Sequence, residues 1–129
     1  MIVLDTHAWL WWAAAPDRLG AGARQAIDET DRLTVSTVSC FEVVALAERG
    51  RISLSLDAPT WIRRALAHAR LDWLAPDPAT AVRAALLPRD RFPGDPIDRL
   101  IYATALELGC PLLTRDRGIR SFDPARTVW

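Results

Sequence analysis

Short apolar runs alternate along the chain with longer segments in which apolar residues recur every three or four positions. The short runs are typical of buried strands and lie at 1–4 (MIVL), 33–36 (LTVS), 71–76 (LDWLAP) and 111–114 (PLLT), with a possible edge strand at 126–129 (RTVW). The longer pattern predicts helices over 6–14, 17–30, 37–50, 60–69, 78–87 and 96–108. Strands separated by helices pair in parallel and carry helices on both faces, so the pattern predicts an α/β fold.

Length and charge narrow the class of protein. The chain has 129 residues, half of them hydrophobic, which is enough for a single domain with its own core over residues 1–129. Its 16 basic residues are all arginine and are balanced by 16 acidic residues, so the formal net charge is zero. A net charge of zero excludes a protein that binds nucleic acid through its overall positive charge. The absence of lysine excludes every mechanism that needs an ammonium group.

The N-terminal segment, with its apolar run Ala8–Ala15, is similar in composition to a signal peptide. It carries no lysine or arginine, however, and Asp5 and His7 interrupt it, so we interpret it as part of the fold. No apolar run approaches the roughly 20 residues of a membrane span. Cys40 and Cys110 lie in apolar settings without the spacing of a zinc or redox site, which predicts buried free thiols. We therefore expect a cytoplasmic protein.

Acidic residues follow the predicted strands. Asp5 comes directly after the first strand and Asp116 follows the strand at 111–114, and either acid alone is also a common helix cap or turn residue. His7 is expected to be a first-turn helix residue rather than a metal ligand. Glu42 lies one turn into a helix among apolar neighbours, where an unpaired charge is costly. A structural ion pair with an arginine is the alternative interpretation of Glu42.

The segment GDPIDRL places two acids at the start of a helix. Asp95 before Pro96 predicts an N-cap followed by proline at the first helical position, and Asp98 falls at the capping-box position. Both acids favour the positive end of a helix. Asp98 also shares its helical stripe with apolar residues that are expected to face inward, Ile101, Ala105 and Leu108. An acid whose only role is to cap a helix does not have to lie on the inward-facing stripe. The position of Asp98 on that stripe therefore predicts a functional site.

The carboxyl ends of parallel strands meet at one edge of the sheet, where ligands bind. Four acids are therefore expected to converge there: Asp5, Glu42, Asp98 and Asp116. Carboxylates brought together in a partly dry pocket repel, so some must be protonated or a cation must be present. A site of carboxylate oxygens suits Mg²⁺ or Mn²⁺. One or two such ions, about 4 Å apart when paired, support phosphodiester hydrolysis without a side-chain nucleophile.

Four segments, in this order over positions 4–119, resemble the PIN-domain family and specifically its VapC-type toxins of type II toxin–antitoxin systems: LDTHAWLW, STVSCFEVVAL, GDPIDRLIYATAL and PLLTRDRGI. The resemblance implies an α/β/α sandwich with a central, mostly parallel sheet of four to five strands. It also implies a Mg²⁺- or Mn²⁺-dependent endoribonuclease that leaves a 5′-phosphate and a 3′-hydroxyl. A cognate antitoxin and a homodimer are further implications.

The resemblance assigns the catalytic and metal-binding roles to the four converging acids, Asp5, Glu42, Asp98 and Asp116. Asp95 is at most an auxiliary acid, and Thr6 and Thr114 are expected to support the ligands by hydrogen bonding. We hypothesise that arginines crowded around the acidic segments position the RNA backbone: Arg89, Arg91, Arg99, Arg115 and Arg117. Solvated charges, or pairs with nearby aspartates, are the alternative for each of these arginines.

Three tryptophans lie close together in the first helix. Trp9, Trp11 and Trp12 cannot all face inward, because Trp11 lies about 160° around the helix from Trp9. At least one is therefore expected to be exposed, where it would contact an antitoxin or a second subunit. Packing in the core or under a lid is the alternative.

Other functions fit the sequence less well. A phosphoacceptor receiver domain needs a lysine, and a haloacid-dehalogenase-like phosphatase needs a second acid where Thr6 and His7 follow Asp5. A structure-specific DNA nuclease is a closer enzymatic alternative, although the chain is short for one. A catalytically inert PIN-like module that binds RNA or protein is the alternative of a different class. Metal-dependent cleavage of RNA separates it from the ribonuclease.

Overall fold

Five strands pair in parallel at the centre of the computed structural model, which describes residues 1–129. They are β1 (Ile2–Leu4), β2 (Leu33–Ser36), β3 (Leu71–Leu74), β4 (Leu112–Leu113) and β5 (Thr127–Val128). Their order across the sheet is β3-β2-β1-β4-β5, so β1 is central. Val3 pairs with Thr34 on one side and with Leu112 on the other. The predicted strands, including the edge strand, are confirmed.

Seven helices connect and cover the strands: α1 (Thr6–Ala14), α2 (Ala21–Asp28), α3 (Val38–Glu48), α4 (Ala58–Leu66), α5 (Pro78–Leu86), α6 (Pro96–Leu108) and α7 (Arg117–Phe122). Aspartates cap α4, α5 and α6, each followed by proline within the first two helical positions. Gly109, with φ of 62°, ends α6 in the left-handed region. None of these helices has the length and apolarity needed to cross a lipid bilayer.

The sheet separates two hydrophobic cores, because successive strand residues point to opposite faces. Ile2, Leu4 and Leu113 belong to the core that α1 to α4 cover, together with Trp9 and Trp61. On the other face, apolar residues of β1 and β4 pack with residues from α6, α7 and the preceding loop: Val3, Leu112, Phe92, Ile101, Tyr102 and Ile119. The structure is thus an α/β/α sandwich, as the sequence predicts.

Two parts of the chain differ from the sequence prediction. The helix predicted over 17–30 is broken: a short 3₁₀ turn at Pro16–Arg18 is followed by extended backbone, and α2 begins only at Ala21. The break lets Gly20 and Gly22 approach Trp129, since a Cβ at Gly22 would lie 2.6 Å from the Trp129 carbonyl oxygen. Helix α7 is absent from the prediction, because its six residues are too few to show a helical period.

The prediction that at least one of the three tryptophans of α1 is exposed is wrong. Trp9 is fully buried, but Trp11 and Trp12 are half-buried rather than exposed. The Trp11 ring packs against Trp129 with centroids 5.6 Å apart, and the Trp12 ring packs against His68 at 4.6 Å. Other segments of the chain therefore cover the outward side of α1, so packing is the interpretation of these tryptophans that the structure supports.

Candidate active site

Asp5 occupies the turn between β1 and α1, at the carboxyl end of the central strand. It is buried, with 8% of its surface exposed. One of its carboxylate oxygens accepts a hydrogen bond from the Thr6 N–H at 2.8 Å, and the other accepts from the Thr114 hydroxyl at 2.7 Å. The Thr114 oxygen in turn accepts from the Asp116 N–H at 3.1 Å. These bonds fix the orientation of the Asp5 carboxylate, as expected for a supported ligand.

Glu42 lies half-buried on α3 and faces Asp5. The ion pairs of the structure join Arg32 to Asp72, Arg83 to Glu107 and Arg126 to Asp123. Glu42 takes part in none of them, so the alternative of a structural ion pair with arginine is wrong. The Thr6 hydroxyl, which donates to the buried Ser39 hydroxyl at 3.0 Å, also lies beside the Glu42 carboxylate. Thr6 therefore contacts both acids: its N–H donates to Asp5, and its hydroxyl group lies beside Glu42.

Asp98 belongs to the first turn of α6, and the predicted capping box is confirmed. The Asp95 carboxylate accepts from the Asp98 N–H at 2.9 Å, and the Asp98 carboxylate accepts from the Asp95 N–H at 3.4 Å. Asp95 is exposed at the start of the helix, whereas Asp98 is half-buried. Further along its stripe Ile101 and Ala105 are buried, but Leu108 is 38% exposed because α6 extends beyond the core there.

The structure brings three of the four predicted acids into one cluster. Carboxylate oxygens of Asp5, Glu42 and Asp98 all lie within 4.8 Å of one another. Burial, and then the charges of neighbouring acids, raises the pKa of the Asp98 carboxyl from 3.8 to about 8. Burial likewise raises the pKa of Asp5 and of Glu42. Carboxylates held this close repel one another when they are ionised, so a bound cation would stabilise the ionised cluster.

Asp116, the fourth predicted acid, lies at the rim of the same cavity and outside the cluster of three. Its carboxylate caps α7 by accepting from the Ile119 N–H at 2.9 Å, and its side chain is exposed. The cavity has a volume of about 610 Å³ and is open to solvent above the cluster. Besides the acids, it is lined by His7, Arg115, Arg117, Arg120 and Trp129. His7 belongs to the first turn of α1, as predicted, and contributes no atom to the cluster.

Only two of the five predicted arginines line this cavity. Arg115, whose guanidinium lies 4.7 Å from the Trp11 ring centroid, and Arg117 are at its edge. Arg99 instead donates to the Ala84 and Leu87 carbonyls at 3.2 and 2.9 Å, and so ties α6 to the end of α5. Arg89 shares a separate, more apolar cavity with Arg99, and Arg91 is exposed on the loop before α6.

Sequence reasoning missed three residues of the cavity and its support. Arg120 lies one turn after Arg117 on α7, so the two arginines can be placed on the same side of the chain only once that helix is known. Ser39 and Trp129 carried no local signal, because each reaches the site through packing of segments distant in the chain. Ser39 is fully buried beneath Thr6, and Trp129 is held against Trp11.

The fold and the cavity together define a class: α/β proteins with a cluster of carboxylates at the carboxyl edge of a parallel sheet. The sequence model of the PIN domain matches residues 2–123. The chain is 45% identical over 130 residues to Ribonuclease VapC22 of Mycobacterium tuberculosis (strain ATCC 25618 / H37Rv). The aligned region covers 99% of this chain and 98% of that protein. The chain therefore belongs to the PIN-domain family.

Solved structures share the fold at low sequence identity. A toxin–antitoxin complex from Klebsiella pneumoniae superposes with a TM-score of 0.69 at 19% identity, covering 100% of this chain and 97% of that one. VapC20 of Mycobacterium tuberculosis, a toxin that cleaves the sarcin–ricin loop, superposes with a TM-score of 0.68 at 18% identity, covering 97% and 95%. The chain is also similar to DNA-bound VapBC from Salmonella typhimurium, with a TM-score of 0.64 at 23% identity over 98% and 95%.

Proposed function

We propose that this protein is a divalent-metal-dependent endoribonuclease and the toxin of a toxin–antitoxin pair. The observation that carries the proposal is the cluster of Asp5, Glu42 and Asp98, whose oxygens lie within 4.8 Å of one another at the base of an open cavity. Full-length similarity to a ribonuclease VapC supports it, as does the shared fold of toxin–antitoxin complexes. Residues 1–129 act as a single PIN domain in this proposal.

The donor set fits Mg²⁺ or Mn²⁺, because it consists of carboxylate oxygens alone. Asp5, Glu42 and Asp98 would hold one or two ions. When bound, such ions supply activation of a water and stabilisation of the phosphate oxyanions. Thr6 and Thr114 keep the Asp5 carboxylate in place, and Asp116 adds negative charge at the rim.

Residues of the chain then position the substrate. Arg115 and Arg117 line the cavity and are suited to the phosphates that flank the cut. Hydrolysis adds water across a P–O3′ bond and leaves a 5′-phosphate and a 3′-hydroxyl. Arg89, Arg91 and Arg99 do not line the cavity, and we give these three no part in the chemistry.

The partner of the toxin is a cognate antitoxin in this proposal. The support is the shared fold of the Klebsiella pneumoniae and Salmonella typhimurium structures, both of which are complexes. The homodimer and the cytoplasmic location stay predictions of the sequence.

RNA cleavage by purified, antitoxin-free protein tests the function. It is measured with Mg²⁺, Mn²⁺ or a chelator, and compared with Asp5→Asn, Asp98→Asn and the control Asp77→Asn. Asp77 is a matched control because it is an exposed N-cap aspartate of α5 outside the cavity. We expect metal-dependent cleavage that both site variants lose and the control keeps.

Three other results would change the proposal. Cleavage that survives in both site variants would mean that the cluster does not carry the reaction. Protein that binds metal in calorimetry and cuts no RNA would favour the inert module that binds RNA or protein. Cleavage confined to DNA would favour the DNA nuclease.

A further inference from the structure

A second polar cavity adjoins the acidic one across helix α7. It has a volume of about 530 Å³ and is lined by Arg117, Arg120, Ser121, Pro124 and Thr127. Arg117 and Arg120 line both cavities. The two cavities therefore adjoin one another, with a ridge formed by Arg117 and Arg120 between them.

The charges of the two halves differ. Four acids line the first cavity, whereas no acidic side chain lines the second. Arg117 and Arg120 are three residues apart and so project from the same side of α7. Neither takes part in an ion pair, in contrast to Arg126, which pairs with Asp123 at 3.4 Å. The ridge thus presents two guanidinium groups without a carboxylate partner, a feature suited to an anion.

A third cavity, lined by residues of α5 and α6, lacks these properties. It contains Arg89 and Arg99 but shares no lining residue with the acidic cavity. The Arg99 guanidinium already donates to two carbonyls at the end of α5. An RNA strand that leaves the acidic cavity on the α7 side therefore meets two guanidinium groups that line both cavities, those of Arg117 and Arg120.

We propose that single-stranded RNA runs from the acidic cavity over the Arg117–Arg120 ridge and lays a phosphodiester of its uncut portion in the second cavity. The proposal rests on the proposed function and gives the RNA a direction across the molecule. The phosphate at the cluster needs bound metal to offset four acids, whereas a neighbouring phosphate in the second cavity meets only cationic and neutral polar groups. Ser121 and Thr127 offer hydroxyl groups to the same backbone.

Variants of Ser121 test this path, because Ser121 is exposed and lines only the second cavity. Ser121→Arg and Ser121→Glu are compared with Ser55→Arg and Ser55→Glu, which make the same changes at an exposed serine that lines none of these cavities. All four are made in an Asp98→Asn parent, so that RNA stays intact. Fluorescence anisotropy of a labelled oligouridine of about 12 nucleotides reports binding as salt is raised from about 50 to 200 mM.

We expect Ser121→Arg to tighten binding several-fold at low salt and to steepen the slope of log K against log salt by about 0.7, one added phosphate contact. Ser121→Glu weakens binding, and both Ser55 variants match the parent. A companion variant with Arg117→Gln and Arg120→Gln makes the slope shallower by about 1.4, two lost contacts. Circular dichroism confirms that each variant keeps its fold.

Ser121 variants that bind like their Ser55 counterparts would overturn the path. A parent that binds no oligouridine would overturn it as well. Metal-dependent RNA cleavage by the wild-type protein, measured in parallel, decides the proposed function separately. Cleavage together with unresponsive Ser121 variants would leave a ribonuclease whose substrate takes another route.

Discussion

At the scale of single residues, Asp98 makes the stability of the metal-free protein depend on pH. Its pKa rises from 3.8 to about 8 on folding, so between about pH 4 and about pH 8 the folded state binds more protons than the unfolded state. The free energy of unfolding must then fall as pH rises through that interval. Burial raises the pKa of Asp5 and Glu42 too, and these shifts act in the same direction.

We expect Asp98→Asn to make this pH dependence shallower and to stabilise the metal-free protein most near pH 8, because asparagine cannot ionise. Urea unfolding in the presence of a chelator, from about pH 5 to about pH 8, measures the effect. Parallel curves for the variant and the wild type would show that Asp98 does not carry the raised pKa. Metal affinity should rise over the same interval, since binding must displace the Asp98 proton.

Thr114 is a positioning residue whose single hydroxyl group donates to Asp5 and accepts from the Asp116 N–H. We expect Thr114→Val to lower metal affinity about 10- to 100-fold by freeing the Asp5 carboxylate. Leaving those two groups without a partner should also cost about 1–3 kcal/mol of stability. Isothermal calorimetry with Mn²⁺ and urea unfolding measure the two effects.

Thr104→Val is the matched control for Thr114→Val. Thr104 is equally buried, but its hydroxyl donates to the Leu100 carbonyl within α6, away from the cavity. Its replacement should leave metal affinity unchanged. Equal losses of affinity in the two variants would mean that Thr114 acts on the fold as a whole and not on Asp5.

At the scale of elements, the N-terminus of α6 combines a cap with a site residue. Asp95→Ala removes the cap and should cost about 1 kcal/mol, as should Asp77→Ala at the equivalent cap of α5. Only Asp95→Ala should also reduce RNA cleavage, because fraying of α6 displaces Asp98. Urea unfolding and the cleavage assay separate the two effects.

Asp95→Asn distinguishes a capping role from a chemical one. Asparagine caps about as well as aspartate, so the variant should keep both stability and cleavage. Loss of cleavage as complete as that in Asp98→Asn would instead make Asp95 a member of the reacting site.

At the scale of the whole molecule, the cluster joins the turn after β1 to helices α3 and α6, and so to both layers of the sandwich. The three carboxylates meet only in the folded state, so an ion that all three bind stabilises that state. Mg²⁺ or Mn²⁺ at about 100 times its dissociation constant should therefore raise the free energy of unfolding by about 2.7 kcal/mol. Asp5→Asn should abolish the gain and Asp77→Asn should keep it, as measured by thermal unfolding. An equal gain in both variants would place the ion outside the cluster.

Most of the helices and strands could be predicted from the sequence alone. The strands Ile2–Leu4 and Leu33–Ser36 and the helix Pro96–Leu108 follow directly from apolar runs, a capping aspartate and a terminal glycine. The convergence of Asp5, Glu42 and Asp98 also follows, because parallel strands send their carboxyl ends to one edge. These features depend on local chemistry and on a topology that has few alternatives.

The features that the sequence did not predict depend on contacts between distant segments of the chain. The predicted helix is broken before Ala21, where Gly20 and Gly22 approach Trp129, and Trp129 also packs against Trp11. Asp116 caps a helix too short to show a period, which moves it to the rim and aligns Arg120 with Arg117. The local sequence determines which functional groups each residue contributes. Which of these groups come into contact depends on tertiary packing, and the free energy of that packing comes from segments far apart in the chain.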